Sequence, residues 1–387
     1  MLNIIELDPK SRLQVNQFIE LPFRLYAGTP QWVPPIRLDI RTMLNPKKHP
    51  FYQHSQAQAF LALQDDVAVG RIMVLENRLY NQAHQTQQAA FCLLETIEDI
   101  NVLKALFVAA DEWAKSRGLN DMVGPKPMGL GEGYGVLVEG FDLRQMMTMM
   151  NYNPPYLPRM LAEIGFEKVV DFVSCQIEVD KFTLPDKIHR VAERVIEKGT
   201  IHVRSFRSRR DLRSFGKAIG SVYNEIFIHN WEYYPYTQRE IEVAVDTVTM
   251  FSDPGLIKVL MDHERVIGFL FAFPDMSDGL KKHKGRLNPI SILDLFRKMK
   301  KADWVAVNGT GVLPEYYGRG GNALLYAEME KTVKSRGFKF AEFTQVAESA
   351  DQMRKDLEVL GGREVKNHRV YRRGVNNKIQ QLRESLY

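Results

Sequence analysis

Only two cysteines, Cys92 and Cys175, occur in 387 residues, so no disulfide framework is available to this chain. Both sit in apolar, strand-like runs with no histidine close in sequence, which reads as two buried thiols in a reducing compartment. The nine histidines show no paired ligand spacing with cysteines or acids, and metal chemistry is therefore not expected. No Gly-x-Ser-x-Gly elbow occurs, and no glycine-rich run is followed by Lys-Ser or Lys-Thr, so neither the hydrolase elbow nor the P-loop is present. Apolar runs are too short to span a bilayer, and the opening MLNIIEL is strand-like with no basic-then-apolar leader, which together predict a cytoplasmic globular protein. Charge is nearly balanced: 52 basic against 47 acidic residues, net +5, too mild to call for a nucleic acid partner.

What the chain does contain is a glycine-rich turn between a strand and a helix. Trp304 to Val307 form a β-rich run and Pro314 ends the strand. From Asn322 the apolar positions Leu325, Met329 and Val333 recur at helical spacing until Gly337. Gly318, Gly320 and Gly321 leave backbone amides uncovered at the start of that helix, where unpaired donors and about half a positive charge favour an anion such as a pyrophosphate.

This segment resembles motif A of the GNAT acyltransferase superfamily: a Gln or Arg, two residues, Gly, one residue, then Gly or Ala. Here the pattern starts at Tyr317, has Gly320 at its centre and ends at Asn322, so two of its usual residues are replaced. The resemblance implies that Gly318, Arg319, Gly320, Gly321, Asn322 and Ala323 hold the pyrophosphate of acetyl-CoA or another acyl-CoA as cosubstrate, with the Asn322 side chain crowding the phosphates.

Three anchors repeat roughly 200 residues apart. Val69-Gly70 after Asp65-Asp66 matches Ile267-Gly268 after Asp262-His263-Glu264, Lys115-Ser116-Arg117-Gly118 matches Lys334-Ser335-Arg336-Gly337, and Ile164-Gly165 matches Leu360-Gly361. The chain is thus expected to be α/β (α+β), with two GNAT-like domains, each a mixed, mostly antiparallel twisted sheet flanked by helices. Residues 1–182 form the first domain, 183–200 a linker helix, 201–373 the acyl-CoA-binding domain and 374–387 a polar tail. With Trp32-Val33-Pro34-Pro35 and Pro274-Asp275, the whole arrangement is similar to a group of uncharacterised bacterial tandem GNAT proteins. In the first half Asp99-Ile100-Asn101 leads into a helix without a glycine, so that half is expected to be a degenerate copy shaping the acceptor side.

Each half carries an insertion. Pro274 to Asp303 holds Lys281, Lys282, Lys284 and Arg286, then Ile290, Ile292, Leu293, Leu295, Phe296 and Met299 among further basic residues, which reads as a short basic amphipathic helix. It serves either as a packed helix with a solvated basic face, or as a lid or an element for anionic lipid. The first half has glycines at 129, 131, 133 and 135 and then Asn151 to Tyr156, read as a long loop that is either a flexible connection or a substrate loop.

Acyl transfer to an amine needs a base and a donor to the thioester oxygen. The resemblance gives the donors as the amides of Val312 and Leu313, since Pro314 has none. The tyrosine the family often uses as acid falls at Leu357 and is missing. Candidate bases are Glu342, on the strand Phe340 to Thr344, and Asp275, with a solvent-face charge and a loop cap as their respective alternatives. Trp231 and Tyr233, in His229 to Tyr234, are the candidate acceptor contacts, with a packed aromatic cluster as the alternative. The function expected is acyl-CoA-dependent N-acylation, in its simplest form N-acetylation, of a small-molecule or peptide amine. The alternatives are a catalytically silent acyl-CoA-binding or scaffold protein, and N-acylation of a lipid-like amine at a membrane surface.

Overall fold

The computed structural model describes residues 1–146, 150–228, 230–231 and 233–375. Asp65 and Asp66 take φ of 50° and 63°, the left-handed pair that closes a two-residue hairpin. That hairpin joins β2 (Gln56–Gln64) to β3 (Val67–Glu76), and β1 (Leu2–Glu6) adds antiparallel to β2. Around it lie α1 (Arg12–Leu25), α2 (Arg37–Met43) and α3 (Arg78–His84). There follow β4 (Gln88–Thr96), α4 (Ile100–Lys115), β5 (Asp121–Gly124), β6 (Val136–Glu139), α5 (Tyr156–Glu163) and β7 (Glu167–Glu178).

The second passage through the same frame runs α6 (Asp186–Lys198), β8 (Ile201–Ser205), α7 (Arg209–Phe227), α8 (Gln238–Phe251), β9 (Ile257–Asp262) and β10 (Arg265–Pro274). The insertion supplies α9 (Ser277–His283) and α10 (Pro289–Met299), two helices where one was expected. The chain then forms β11 (Trp304–Val312), α11 (Gly321–Ser335), β12 (Phe340–Ala347), α12 (Asp351–Val359) and β13 (Arg363–Gly374). Among the described residues no helix is long and apolar enough to cross a membrane.

Two compact units result. The first contains Met1–Phe172, the inserted segment Ser277–Leu295 and the described residues from Lys366 onward; the second contains Val173–Met276 and Phe296–Val365. The insertion of the second half thus packs with the first unit, and the helix expected to bridge the halves, α6, lies in the second. In the first unit the strand order is β1-β2-β3-β4-β5-β13, all antiparallel except β4 with β5. One face is covered by α4 through Leu103, Leu106 and Phe107, the other by α1 and α2 through Phe18, Leu21 and Ile40. Val375, the first residue of the expected polar tail to follow Gly374, is fully buried there, and 376–387 lie outside the described residues.

In the second unit the order is β7-β12-β11-β10-β9-β8, with β11 and β12 parallel. Here the segment that leads into α6 is tied to α11 through the buried Glu330, whose Oε1 accepts from the Leu184 amide at 3.1 Å and from Lys334 Nζ at 2.8 Å. Three arginines between 204 and 213 are engaged within this unit: Arg204 pairs with Asp211 at 2.9 Å, Arg213 pairs with Asp246 at 2.7 Å, and Arg209 lies over the ring of Phe296.

Candidate functional site

β11 and β12 stay in parallel register for four residues, from Trp304 opposite Phe340 to Val307 opposite Phe343. Both strands continue, so the ladder opens into a fork at Asn308 and Thr344. At the same level the register of β10 against β11 slips between Leu270 and Ala272, and Gly309 takes φ 82°. This bulge bends β11 and ends its pairing with β12. At the fork, Asn308 Oδ1 and Nδ2 and Thr344 Oγ1 are shielded from solvent with no hydrogen-bond partner, as is Asn322 Oδ1 at the start of α11. Each such atom costs about 1–3 kcal/mol, so a group of them at one opening is a feature that a ligand would relieve.

Below the fork the chain passes through a 3₁₀ turn at Pro314–Tyr316 into α11. Tyr316 Oη donates to Asp262 Oδ2 at 2.7 Å, and the Arg319 guanidinium lies over the Tyr316 ring, which pins the loop. Gly320 is the N-cap at φ 86° and supplies no side-chain cap; the first amide bonded back within the helix is that of Leu324, to Gly320 O. The amides of Gly320, Gly321, Asn322 and Ala323 therefore open the helix without an intrahelical acceptor. Gly318 and Arg319 are exposed, whereas Gly320 turns its α-carbon toward α6, with Val195 and Val191 against it.

Of the two expected donors to a thioester oxygen, Leu313 is removed. Its amide donates to Ile267 O at 2.8 Å, which directs it toward β10. Because successive amides on a strand point to opposite edges, that of Val312 faces the edge from which β12 has parted, and so does that of Thr310. The sequence could not give this, since it depends on which edge β10 occupies.

Glu342 is fully buried and opposite Ala306, and its Oε2 accepts from Gln176 Nε2 at 2.9 Å. The solvent-face alternative is thereby overturned: a carboxylate sits inside, two residues before Thr344 and on the same face of β12. Asp275 is buried but belongs to the other end of the strands. Its amide donates to Trp304 O at 3.0 Å, about 13 Å along the sheet from the level of the fork, and the fold does not bring it to the site.

Leu357 is a core residue, 2% exposed, so no acid stands at that position. A tyrosine reaches α12 from elsewhere. Tyr326 of α11 is buried, and its hydroxyl donates to Asp356 Oδ2 at 2.9 Å. Burial, then the Asp356 carboxylate, hold its pKa well above the usual tyrosine value, so the phenol stays protonated. Sequence reading missed it because a tyrosine in an apolar helical stripe looks like packing.

Tyr233 joins an aromatic wall beside the bulge. Its ring lies 6.3 Å from those of Tyr223 and Phe227, its hydroxyl donates to Asn224 Oδ1, and Tyr223 stacks on Phe269, which stacks on Phe271 at 4.4 Å. Phe269 and Phe271 flank Gly309. Trp231 is half-buried, and its neighbours His229 and Glu232 lie outside the described residues.

The first unit repeats the bulge: the register of β3 against β4 slips between Arg71 and Met73, and Leu93 takes φ 49°. β4 pairs with β5 from Gln88 to Ala90, and one further bond, from Lys126 N to Phe91 O at 2.8 Å, follows before β4 runs on to Thr96. Helix α4 of this unit starts on the Asp99 carboxylate, which accepts from the Asn101 amide at 2.8 Å and places negative charge where an anion would dock. The alternate-glycine segment is tied to Asn151, whose Nδ2 donates to Gly133 O at 3.1 Å and to Gly135 O at 2.8 Å. Within it Glu132 accepts from the Met128 amide at 2.8 Å, and burial, with Asp39 adding to it, pushes its pKa up to about 7.

Comparison with solved structures decides the architecture. A tandem GNAT protein from the clavulanic acid biosynthesis pathway superposes with TM-score 0.58 at 12% identity, covering 98% of this chain and 100% of that one. The fold is that of a tandem GNAT protein. No protein-family profile matches the chain. Among curated proteins, this chain is 26% identical over 373 residues to the bacterial ceramide synthase of Caulobacter vibrioides, covering 95% of the chain and 96% of the relative. It is 25% identical over 386 residues to protein YghO of Escherichia coli, covering 97% and 98%.

Proposed function

We propose that the second unit is an acyl-CoA-dependent N-acyltransferase whose acceptor is an amine carried on an apolar chain. The observation that carries this is the fork itself: β11 leaves β12 at Val307, unpartnered Asn308 and Thr344 atoms stand at the opening, and the strand leads into an uncapped helix start at Gly320. The pyrophosphate is assigned to the amides of Gly320 to Ala323 with Gly318 and Arg319 beside them, and the thioester to the fork. Glu342 takes the proton of the acceptor ammonium; the freed nitrogen attacks the thioester carbonyl, the C–N bond forms and the C–S bond breaks, and the second proton, which the nitrogen loses on becoming an amide, replaces the one that the thiolate takes up. The Val312 amide is the donor for the carbonyl oxygen, and Tyr326 is the proton source for the departing thiolate.

An apolar acceptor is supported by the wall of Tyr223, Phe227, Tyr233, Phe269 and Phe271. It is also supported by the likeness to a protein named ceramide synthase, a ceramide being the amide of a long-chain amino alcohol. Thiol release from acetyl-CoA and from long-chain acyl-CoA, each offered short amines and long-chain amino alcohols in neutral detergent, tests the reading. Turnover confined to long-chain acceptors is expected; turnover with short polar amines alone would overturn the acceptor class. Leu357 favours a second reading, a silent acyl-CoA binder, for which coenzyme A would bind and no acceptor would turn over.

A further inference from the structure

The inserted segment places an unusual surface on the first unit. Its hairpin is held by α2: the Arg37 amide donates to Gly285 O at 3.0 Å and Arg37 Nε to Lys284 O at 2.7 Å. The helix leaving that hairpin, α10, buries Ser291 and Leu295 and turns Ile290 (75% exposed) and Leu293 (52%) outward, with Leu38 of α2 (57%) beside Arg37. Cations surround them. Lys282 is paired with Asp294 and Arg37 with Glu20, but Lys284, Arg286 and Arg41 make no ion pair among the described residues. Arg37 feels the crowding, since its pKa is lowered first by burial and then by Arg286 and Arg41. The acids on these elements are Asp39, Asp278 and Asp294, the last two engaged with Arg144 and with Lys282 and His283.

Large apolar side chains standing out of a positively charged surface fit one occupant by charge and by hydrophobicity: an anionic lipid bilayer, which takes the side chains into its interface and pairs its headgroups with the cations. A nucleic acid would use the cations and leave Ile290 and Leu293 in water. We infer that α10 and the Lys284–Arg286 hairpin dock the protein on anionic membrane. This rests on the lipid-like acceptor proposed above, because such an acceptor is held in bilayers and a surface-bound enzyme meets it there.

The test is sedimentation of the full chain with vesicles of phosphatidylcholine, alone or with phosphatidylglycerol. Pelleting with the anionic vesicles only, weakened by salt, is expected. Lys284→Gln and Arg286→Gln should each lower partitioning about fivefold, and Ile290→Asp with Leu293→Asp about tenfold or more. Turnover of acceptor dispersed in neutral detergent should be unchanged in all of these variants. Equal binding by variants and wild type, full competition by glycerol phosphate, or binding to an oligonucleotide but not to vesicles would overturn the docking surface. Wild-type pelleting without turnover would count against the acyltransferase reading and leave the surface standing.

Discussion

Tyr326 and Asp356 join two helices by a 2.9 Å hydrogen bond from phenol to carboxylate, one residue before Leu357, the position at which the tyrosine often used by GNAT acyltransferases is missing. The phenol is therefore delivered by α11, not by α12. Tyr326→Phe keeps the ring in its packing and deletes only the hydroxyl, while Asp356 retains Gln352 Nε2 at 2.8 Å. Stability should fall by about 1 kcal/mol, the worth of one hydrogen bond. Thiol release should fall about 10² fold or more if the phenol protonates the thiolate, with acyl-CoA affinity unchanged by calorimetry. Full turnover in the folded variant would remove Tyr326 from the chemistry.

Two glycines of the anion loop separate folding from binding. A Cβ on Gly320 would lie 2.7 Å from Val195 Cγ2 and 2.9 Å from Val191 Cγ1, so Gly320→Asp would push α6 away and could lose affinity through misfolding. Gly318, at φ 73°, has nothing within 4 Å of that position. Aspartate tolerates the left-handed region better than most residues, so Gly318→Asp should fold and yet weaken coenzyme A binding more than tenfold by charge repulsion. Gly320→Ala should lower the melting temperature. Unchanged affinity in folded Gly318→Asp would sink the pyrophosphate assignment.

The repeat was legible because helix-ending glycines have a specific conformational reason to be there. Gly118 and Gly337 take φ of 70° and 75°, and Gly165 and Gly361 take 82° and 69°, so the paired motifs mark the same backbone turns. The anion loop was legible for the same reason, since Gly320 occupies a left-handed N-cap. What depends on register was not. The amide of Leu313 was assigned to the wrong edge because only the pairing with Ile267 fixes its direction. Nor could the pattern of residues 277–295 show that they pack with the first unit, since packing partners distant in sequence leave no local periodicity.

Glu132 makes a pH prediction for the first unit. Its pKa rises from 4.5 to about 7 on folding, so the folded state holds the proton more tightly than the unfolded chain. The stabilisation is fully present below the unfolded value and is lost as pH rises through the folded one. Between about pH 4.5 and 7 the wild-type melting temperature should therefore decline relative to that of Glu132→Gln, which stays neutral throughout. Parallel melting curves for the two proteins across that window would show that Glu132 is not the group responsible.

Glu342 carries the heaviest assignment in the proposed chemistry. It is fully buried on the strand that opens into the fork, and it is held by Gln176. Glu342→Gln preserves shape and can still accept from Gln176 through its amide oxygen, so folding and acyl-CoA affinity should hardly change. Removal of the base should lower acyl transfer about 10² fold or more at saturating donor. A residue that only positions the strand would lower the rate at every pH alike. A base instead gives the wild type an acid limb, activity rising with pH as the carboxylate ionises, and that limb should be absent from the variant. An acid limb retained in Glu342→Gln would assign proton removal to another group, and an undiminished rate would reject Glu342 altogether.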